Sequence, residues 1–365
     1  VGSEMCIRDS LSTVYMCVTF AALINVVDYS EPEISKRAAA ITDKMLSMLA
    51  LHTYKTGIVA PMGRVYRSVL YPFDQGAMAL MNLINPKLPY TFGEGWLGFY
   101  ASSHYPIPEG LVKLMEDDVE TNYTTGNARV YLEKNDDYCL TSVASPREPF
   151  TRWENETLKE NVDITTHNFT KSFNERFHGT TYFRPGTYGY QQHMWYAALD
   201  GEASIFVTHP GSTSEEGDMR PGYWHGNGVM PALKQQHGLL GGIYVIPDEH
   251  PIGYTHLYCP ECRFDEVINE ENWIFLRKET GYLALWCSEK LEAHNGMNFN
   301  CEQRAYSKNA AYLCVCGGQK SDVSFATFKK RAKETSPSYD KESKTLTAQN
   351  FELSYVACKD VTQFL

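Results

Sequence analysis

The chain reads as an α+β protein in which a helical first part is followed by a large antiparallel β part, and three observations carry that reading. Before residue 105 apolar residues recur at three-to-four spacing; from Glu116 they alternate or gather in short β-branched and aromatic runs; and turn signals such as Gly126-Asn127 and Asn135-Asp136-Asp137 separate those runs. The change of period places the boundary between residues 105 and 117. It divides the sequence into 1–10, 11–115 and 116–365.

The first ten residues, VGSEMCIRDS, match the peptide encoded when a common transposase sequencing adapter is read in frame, and they are set aside as an artefact. On that reading the native N-terminus is missing, so whether the protein is secreted, periplasmic or cytoplasmic is not legible. Leu11 to Asn25 is apolar but broken by Ser12, Thr13, Thr19 and Asn25; it is too short and too polar for a membrane span, and a buried helix is expected. Glu31-Pro32-Glu33 opens a second helix, with proline in its first turn and acids where the helix dipole favours them. Its expected apolar face is Ile34, Ala38, Ile41, Met45, Met48 and Leu49, and its end falls near Lys55-Thr56-Gly57. A loop carrying Arg64, Tyr66 and Arg67 precedes a third helical stretch, Phe73 to Ile84, which stops before Asn85-Pro86.

Val119 to Thr124, Arg129 to Lys134 and Tyr138 to Val143 form an expected meander. Arg147 to Asn174 is a polar connection. Gln192 to Leu199 and Ala203 to Thr208 then read as a hairpin closed by a primed turn at Asp200-Gly201. Further strands are expected at Ile243 to Ile246, Thr255 to Tyr258, Arg263 to Ile268, Trp273 to Arg277, Tyr282 to Trp286, Ala311 to Cys316 and Phe351 to Ala357. That many short strands imply a β-sandwich. Asp322 to Lys333 is an expected basic amphipathic helix, and Pro337 to Lys344 an expected mobile segment.

Composition narrows the function. With 43% hydrophobic and 21% charged residues over 365 positions the chain is of ordinary globular type, and a net charge of -11 argues against nucleic acid as a partner. A polyanionic ligand would therefore need a local cationic pocket. Cys259-Pro-Glu-Cys262 has half the spacing of a zinc site, but nothing completes it at usual intervals, and no metal is expected. Nucleophile elbows, phosphate-binding loops and dinucleotide fingerprints do not occur in the sequence.

The loop from His209 to Gly228 is the informative stretch. It sets His209, Glu215, Glu216, Arg220, Tyr223, Trp224, His225 and Asn227 among glycines and prolines, a composition unsuited to a core. Aromatic faces suit sugar rings. Histidine, tyrosine and arginine together fit β-elimination on a uronic acid, in which a cation neutralises the carboxylate, a base removes the adjacent proton and an acid protonates the departing oxygen. Hydrolysis needs two flanking carboxyl groups, and the neighbours Glu215 and Glu216 would point apart in an extended loop.

Helices ending near residue 115, followed by a β part carrying Tyr188-Gly189-Tyr190-Gln191-Gln192-His193 and His209-Pro210-Gly211, resemble the heparinase II/III-like polysaccharide lyases. The resemblance implies the C-terminal part of an (α/α) toroid joined to an antiparallel β-sandwich, in a bacterial enzyme acting on an acidic polysaccharide or oligosaccharide without a redox cofactor. In that setting His193 or His225 is the expected base and Tyr190 or Tyr223 the expected acid. Arg220 and Asn227 would neutralise the carboxylate, Trp224 and Glu215 would contact sugar, and Arg64 with Tyr66 would close the groove from the helical side. The competing readings are a glycoside hydrolase and a β part that binds glycan, or packs on the helices, without cleaving anything. An enzyme requires His193, His225, Tyr223 and Arg220 to converge on one cleft.

Overall fold

The computed structural model describes residues 11–63, 65, 76–90, 96–125, 128–144, 193–211, 223–224, 227–246, 248, 250–296 and 301–355. Its helices come first: α1 (Tyr15–Tyr29), α2 (Pro32–His52), α3 (Gly76–Ile84), α4 (Trp96–Ser102) and α5 (Leu111–Glu116). No helix among the described residues is long and apolar enough to cross a membrane. In α1 the buried stripe is Met16, Cys17, Phe20, Ala21 and Ile24. The stripe of α2 is Ala38, Thr42, Met45, Leu46 and Leu49, whereas Ile34 and Ile41 are more than half exposed. The expected face is therefore corrected. At 3.6 residues per turn Ile34 and Ile41 project roughly 70–90° to one side of the centre of the stripe formed by Ala38, Thr42, Met45, Leu46 and Leu49, beyond the part of α2 that is buried.

Between α2 and α3 sits a small hairpin, β1 (Thr53–Tyr54) and β2 (Gly57–Ile58). The strands then follow the expected meander, β3 (Val119–Thr125), β4 (Ala128–Lys134) and β5 (Cys139–Ala144), before β6 (Trp195–Ala198) and β7 (Ser204–Thr208). The β6–β7 connection is not a two-residue primed turn. It runs through residues 199–203, with Asp200 Oδ1 accepting the N–H groups of Glu202 at 2.8 Å and Ala203 at 2.6 Å, and Leu199 N–H donating to Ala203 O at 2.9 Å. Gly201 lacks the positive φ that a primed turn demands, because the aspartate side chain shapes the loop instead.

The remaining strands are β8 (Ala232–Gln236), β9 (Leu239–Val245), β10 (Thr255–Tyr258), β11 (Glu266–Glu270), β12 (Trp273–Lys278), β13 (Gly281–Cys287), β14 (Leu291–His294), β15 (Glu302–Ala305) and β16 (Asn309–Gly318). Two short helices, α6 (Gln319–Asp322) and α7 (Phe325–Glu334), lead to β17 (Ser338–Asp340), β18 (Thr345–Ala348) and β19 (Phe351–Ser354). Residues expected to be mobile thus supply β17, which pairs with β18 through Tyr339↔Leu346.

Two large antiparallel sheets organise the molecule. One runs β14-β15-β10-β7-β6-β5-β4-β3 and the other β11-β12-β13-β16-β9-β8. Their inner faces share one apolar cluster, to which Leu140, Trp195, Ile205, Val207 and Leu257 come from the first sheet and Leu240, Tyr244, Leu276, Leu285 and Cys314 from the second. Residues of α1, α2 and α3 join the same cluster. The outer face of the six-stranded sheet is covered by α7 and by β17-β18-β19, through Phe325, Phe328, Leu346 and Phe351. The outer face of the eight-stranded sheet carries a second cluster that is aromatic and polar.

Candidate functional site

Strand alternation builds that outer face. Along β7, β10 and β15 the residues Phe206 and Thr208, His256 and Tyr258, and Glu302 and Arg304 fall at every second position, so their side chains share one side while Val207, Leu257 and Ala305 point into the core. Register then sets the rows. His256 stands opposite both Thr208 and Arg304, and Tyr258 opposite Phe206 and Glu302. An acid, a guanidinium and an imidazole are thereby fixed on neighbouring rungs of rigid strands.

Tyr223 and Trp224 lie over this surface. The Trp224 ring stacks on His256 at 4.1 Å and 10°, and Tyr223 meets the same imidazole edge-on at 4.9 Å. The Tyr223 hydroxyl donates to Glu302 Oε1 and accepts from Arg304 Nη2. Arg304 Nε also donates to Glu302 Oε1 at 2.6 Å, and His256 Nδ1 lies 3.3 Å from that oxygen. The guanidinium is backed by the Tyr254 ring at 4.5 Å.

Electrostatics follow from this packing. Burial alone would raise the Glu302 pKa, but the hydrogen bonds and charges of His256 and Arg304, with the Tyr223 hydroxyl, outweigh it and hold the carboxyl at about 2. The Tyr223 phenol is pushed far up, by burial first and then by its bond to the Glu302 carboxylate. At neutral pH the cluster holds an ionised Glu302, a cationic Arg304 and a protonated tyrosine.

The structure places the other expected residues as follows. His193 is fully buried, with Nδ1 against the Tyr196 hydroxyl, Nε2 2.7 Å from the Trp224 carbonyl and its ring 4.3 Å from Phe206. It therefore supports Trp224 from below, and its backbone bridges to Met62. Asn227 is also buried, its amide oxygen taken by the His209 N–H at 3.1 Å and the Tyr244 hydroxyl at 3.2 Å. His209 Nε2 lies 3.0 Å from Ile252 O, which fixes the root of the loop. Tyr190, His225, Arg220, Glu215, Arg64 and Tyr66 lie outside the described residues. His193, Tyr223 and Trp224 do come together, whereas Asn227 is committed to the loop root.

Sequence reasoning does not single out Glu302, Arg304 or His256 as site residues. The available signal was Glu302-Gln-Arg304 within a strand, since period two puts such a pair on one face. Cys259 is buried and its thiol pushed up by burial, while Cys262 is exposed. Among the described residues no group of three or more His, Cys, Asp or Glu side chains is arranged to hold a metal ion.

Comparison with models of known protein families, with curated proteins and with solved structures gave no match.

Proposed function

We propose that the chain is a carbohydrate-active enzyme that cleaves an acidic polysaccharide by β-elimination, its helices being the end of an (α/α) toroid and its two large sheets a β-sandwich. The observation that supports this reading is the Tyr223 hydroxyl held between Arg304 and Glu302 beside His256. The Tyr223 hydroxyl holds its proton at neutral pH, and delivering it to a departing glycosidic oxygen requires substrate to displace the Glu302 contact that weakens it as an acid. Arg304, donating to the same phenol oxygen, would stabilise the phenolate left behind. Glu302 fixes the direction of the hydroxyl, and Trp224 offers an indole edge beside it. His225, next to Trp224 in sequence, remains the base proposed for proton removal, whereas His193, fully buried with both ring nitrogens engaged, is withdrawn from that role; His256 is the described imidazole that meets the tyrosine.

A second reading is favoured by one specific observation. Tyr223 and Trp224 are each only 4% exposed, as expected of a clasp that holds a glycan-binding or structural loop on the sheet. The two readings separate on turnover. The full chain is incubated with a panel of uronic-acid polysaccharides and absorbance is followed at the unsaturated-uronate band. The lyase reading expects a rise that Tyr223→Phe lowers by about 10²- to 10⁴-fold, the usual contribution of a positioned acid. A flat trace on every polymer removes the lyase reading.

A further inference from the structure

A cleft of about 340 Å³ lies where the helices meet the edge of the eight-stranded sheet, apart from the Tyr223 cluster. Its walls come from the β1–β2 turn, the residues after α3, the end of α5 and the turn after β4. Lys55, Lys87 and Lys134 line it together with Glu116, Asp117 and Asp136. All three carboxylates already have cations: Glu116 pairs with Lys87 at 3.0 Å, Asp117 with Lys113 at 3.9 Å and Asp136 with Lys320 at 2.5 Å. Lys113 and Lys320 stand outside the lining, so within the cleft three lysines face three carboxylates, of which only Glu116 takes its cation from the lining itself.

Two donors there are uncommitted. Lys55 forms no ion pair among the described residues, and its ammonium rests 5.3 Å from the Tyr54 ring centre. Burial lowers the Lys55 pKa, and the carboxylates of Glu279, Asp200, Asp137 and Asp136, none of them in direct contact, offset part of that shift. The Lys55 backbone φ of 48° is a conformation that lysine seldom adopts, and it sets the direction in which the side chain leaves the turn. Asn85 is 4% exposed; its amide oxygen accepts the Lys87 N–H at 3.2 Å, and its amide nitrogen donates to no described residue. Tyr54 is equally buried, and its hydroxyl, without a hydrogen-bond partner among the described residues, is sealed beneath the cleft rather than open to it.

We propose that this cleft binds a carboxylate-bearing sugar residue, with Lys55 as the counter-ion and Asn85 as a hydrogen-bond donor, and so serves as a second contact for an acidic glycan. The assignment rests on the elimination reading above for the identity of the ligand. In sheet order β4 stands five strands from β15, about 24 Å at ordinary strand spacing, so the two sites would hold different residues of one glycan chain. An uncharged glucan offers hydroxyls but nothing for Lys55 to neutralise.

The test is calorimetric binding of a glucuronate tetramer to the full chain, with cellotetraose as the uncharged control and thermal unfolding as the check on fold. The expected result is preference for the charged tetramer, weakened at least tenfold by Lys55→Gln, weakened also by Asn85→Ala, and retained by Lys55→Arg. Equal binding of the two tetramers overturns the proposal, as does unchanged affinity in Lys55→Gln. Binding is read without turnover, which separates the two claims. Lys55-dependent binding without any unsaturated product keeps the cleft and removes the chemistry, whereas product formation with Lys55-independent binding does the reverse.

Discussion

A buried carboxylate is tolerable only if its charge is answered, and Glu302 answers that requirement with Arg304, Tyr223 and His256 on a single oxygen. Removing one partner strands the others. Arg304→Met should cost about 3–5 kcal/mol in urea unfolding, the usual penalty for breaking a buried ion pair, even though the new side chain is apolar. The same bonds make a prediction about acid. Glu302 titrates near 4.5 when unfolded and at about 2 when folded, so its stabilising contribution is complete above about pH 4.5 and is lost as the pH falls toward 2. In Glu302→Gln that part of the acid sensitivity should vanish, which a denaturation series from pH 5 to pH 2 would measure. Little of this cluster was legible beforehand. Tyr223 and Trp224 stood out because they occupy a polar glycine-rich loop, whereas Glu302, Arg304 and His256 gain their meaning only from the register that brings β10, β15 and the loop together.

The helices end against the sheet through two buried groups. His52, the last residue of α2, places Nδ1 2.8 Å from Val59 O and Nε2 2.8 Å from the Tyr123 hydroxyl, tying the helix to the segment after β2 and to β3. Burial lowers its pKa to about 4; the Val59 bond opposes that shift and nearby Lys134 adds to it. The unfolded chain takes up this proton near pH 6.5 and the folded chain only near pH 4. Stability should therefore be full above about pH 6.5 and fall by about 2 kcal/mol between pH 7 and pH 5. Urea titrations at the two values would show it, with His52→Gln flattening the difference. Lys134, at the end of β4, sends its ammonium to the carbonyls of Thr53, Leu114 and Met115 at 3.1, 2.7 and 3.1 Å. It caps two helix ends from a distant strand. Element types were readable wherever period and turn chemistry agreed, as in α1, α2 and the β3-β4-β5 meander. They were unreadable in β14, β15 and β17, which are short and polar and owe their form to the strands beside them.

At the scale of the whole molecule, apolar layers alternate with sheets, and close backbone contact decides how the parts seat. A Cβ on Gly201 would lie 2.4 Å from Gly57 N and 2.6 Å from Gly57 Cα, so the β1–β2 hairpin rests directly on the β6–β7 loop. Gly201→Ala has backbone on both sides and no flexible group to yield; it should cost about 3 kcal/mol or more and shift the hairpin, measurable by urea unfolding and by amide exchange at Ile58 and Val59. Gly241 serves the opposite side of the molecule, since its missing Cβ leaves room for the Phe351 ring from β19. The mixed α+β layout with a late β part could be read from the sequence, while the pairing order of two large sheets could not, because non-consecutive strands such as β7 and β10 or β9 and β16 meet across long loops.

The Lys134 cap also bears on the order in which the chain is made. During synthesis α2 leaves the ribosome some 80 residues ahead of the lysine that closes its end, and α5 about 20 residues ahead. Until β4 emerges and pairs, water must satisfy those carbonyls, and both helices should fray at that end. Lys134→Met should then leave the sheets intact and speed amide exchange in the last turns of α2 and α5, a nascent-chain condition made permanent.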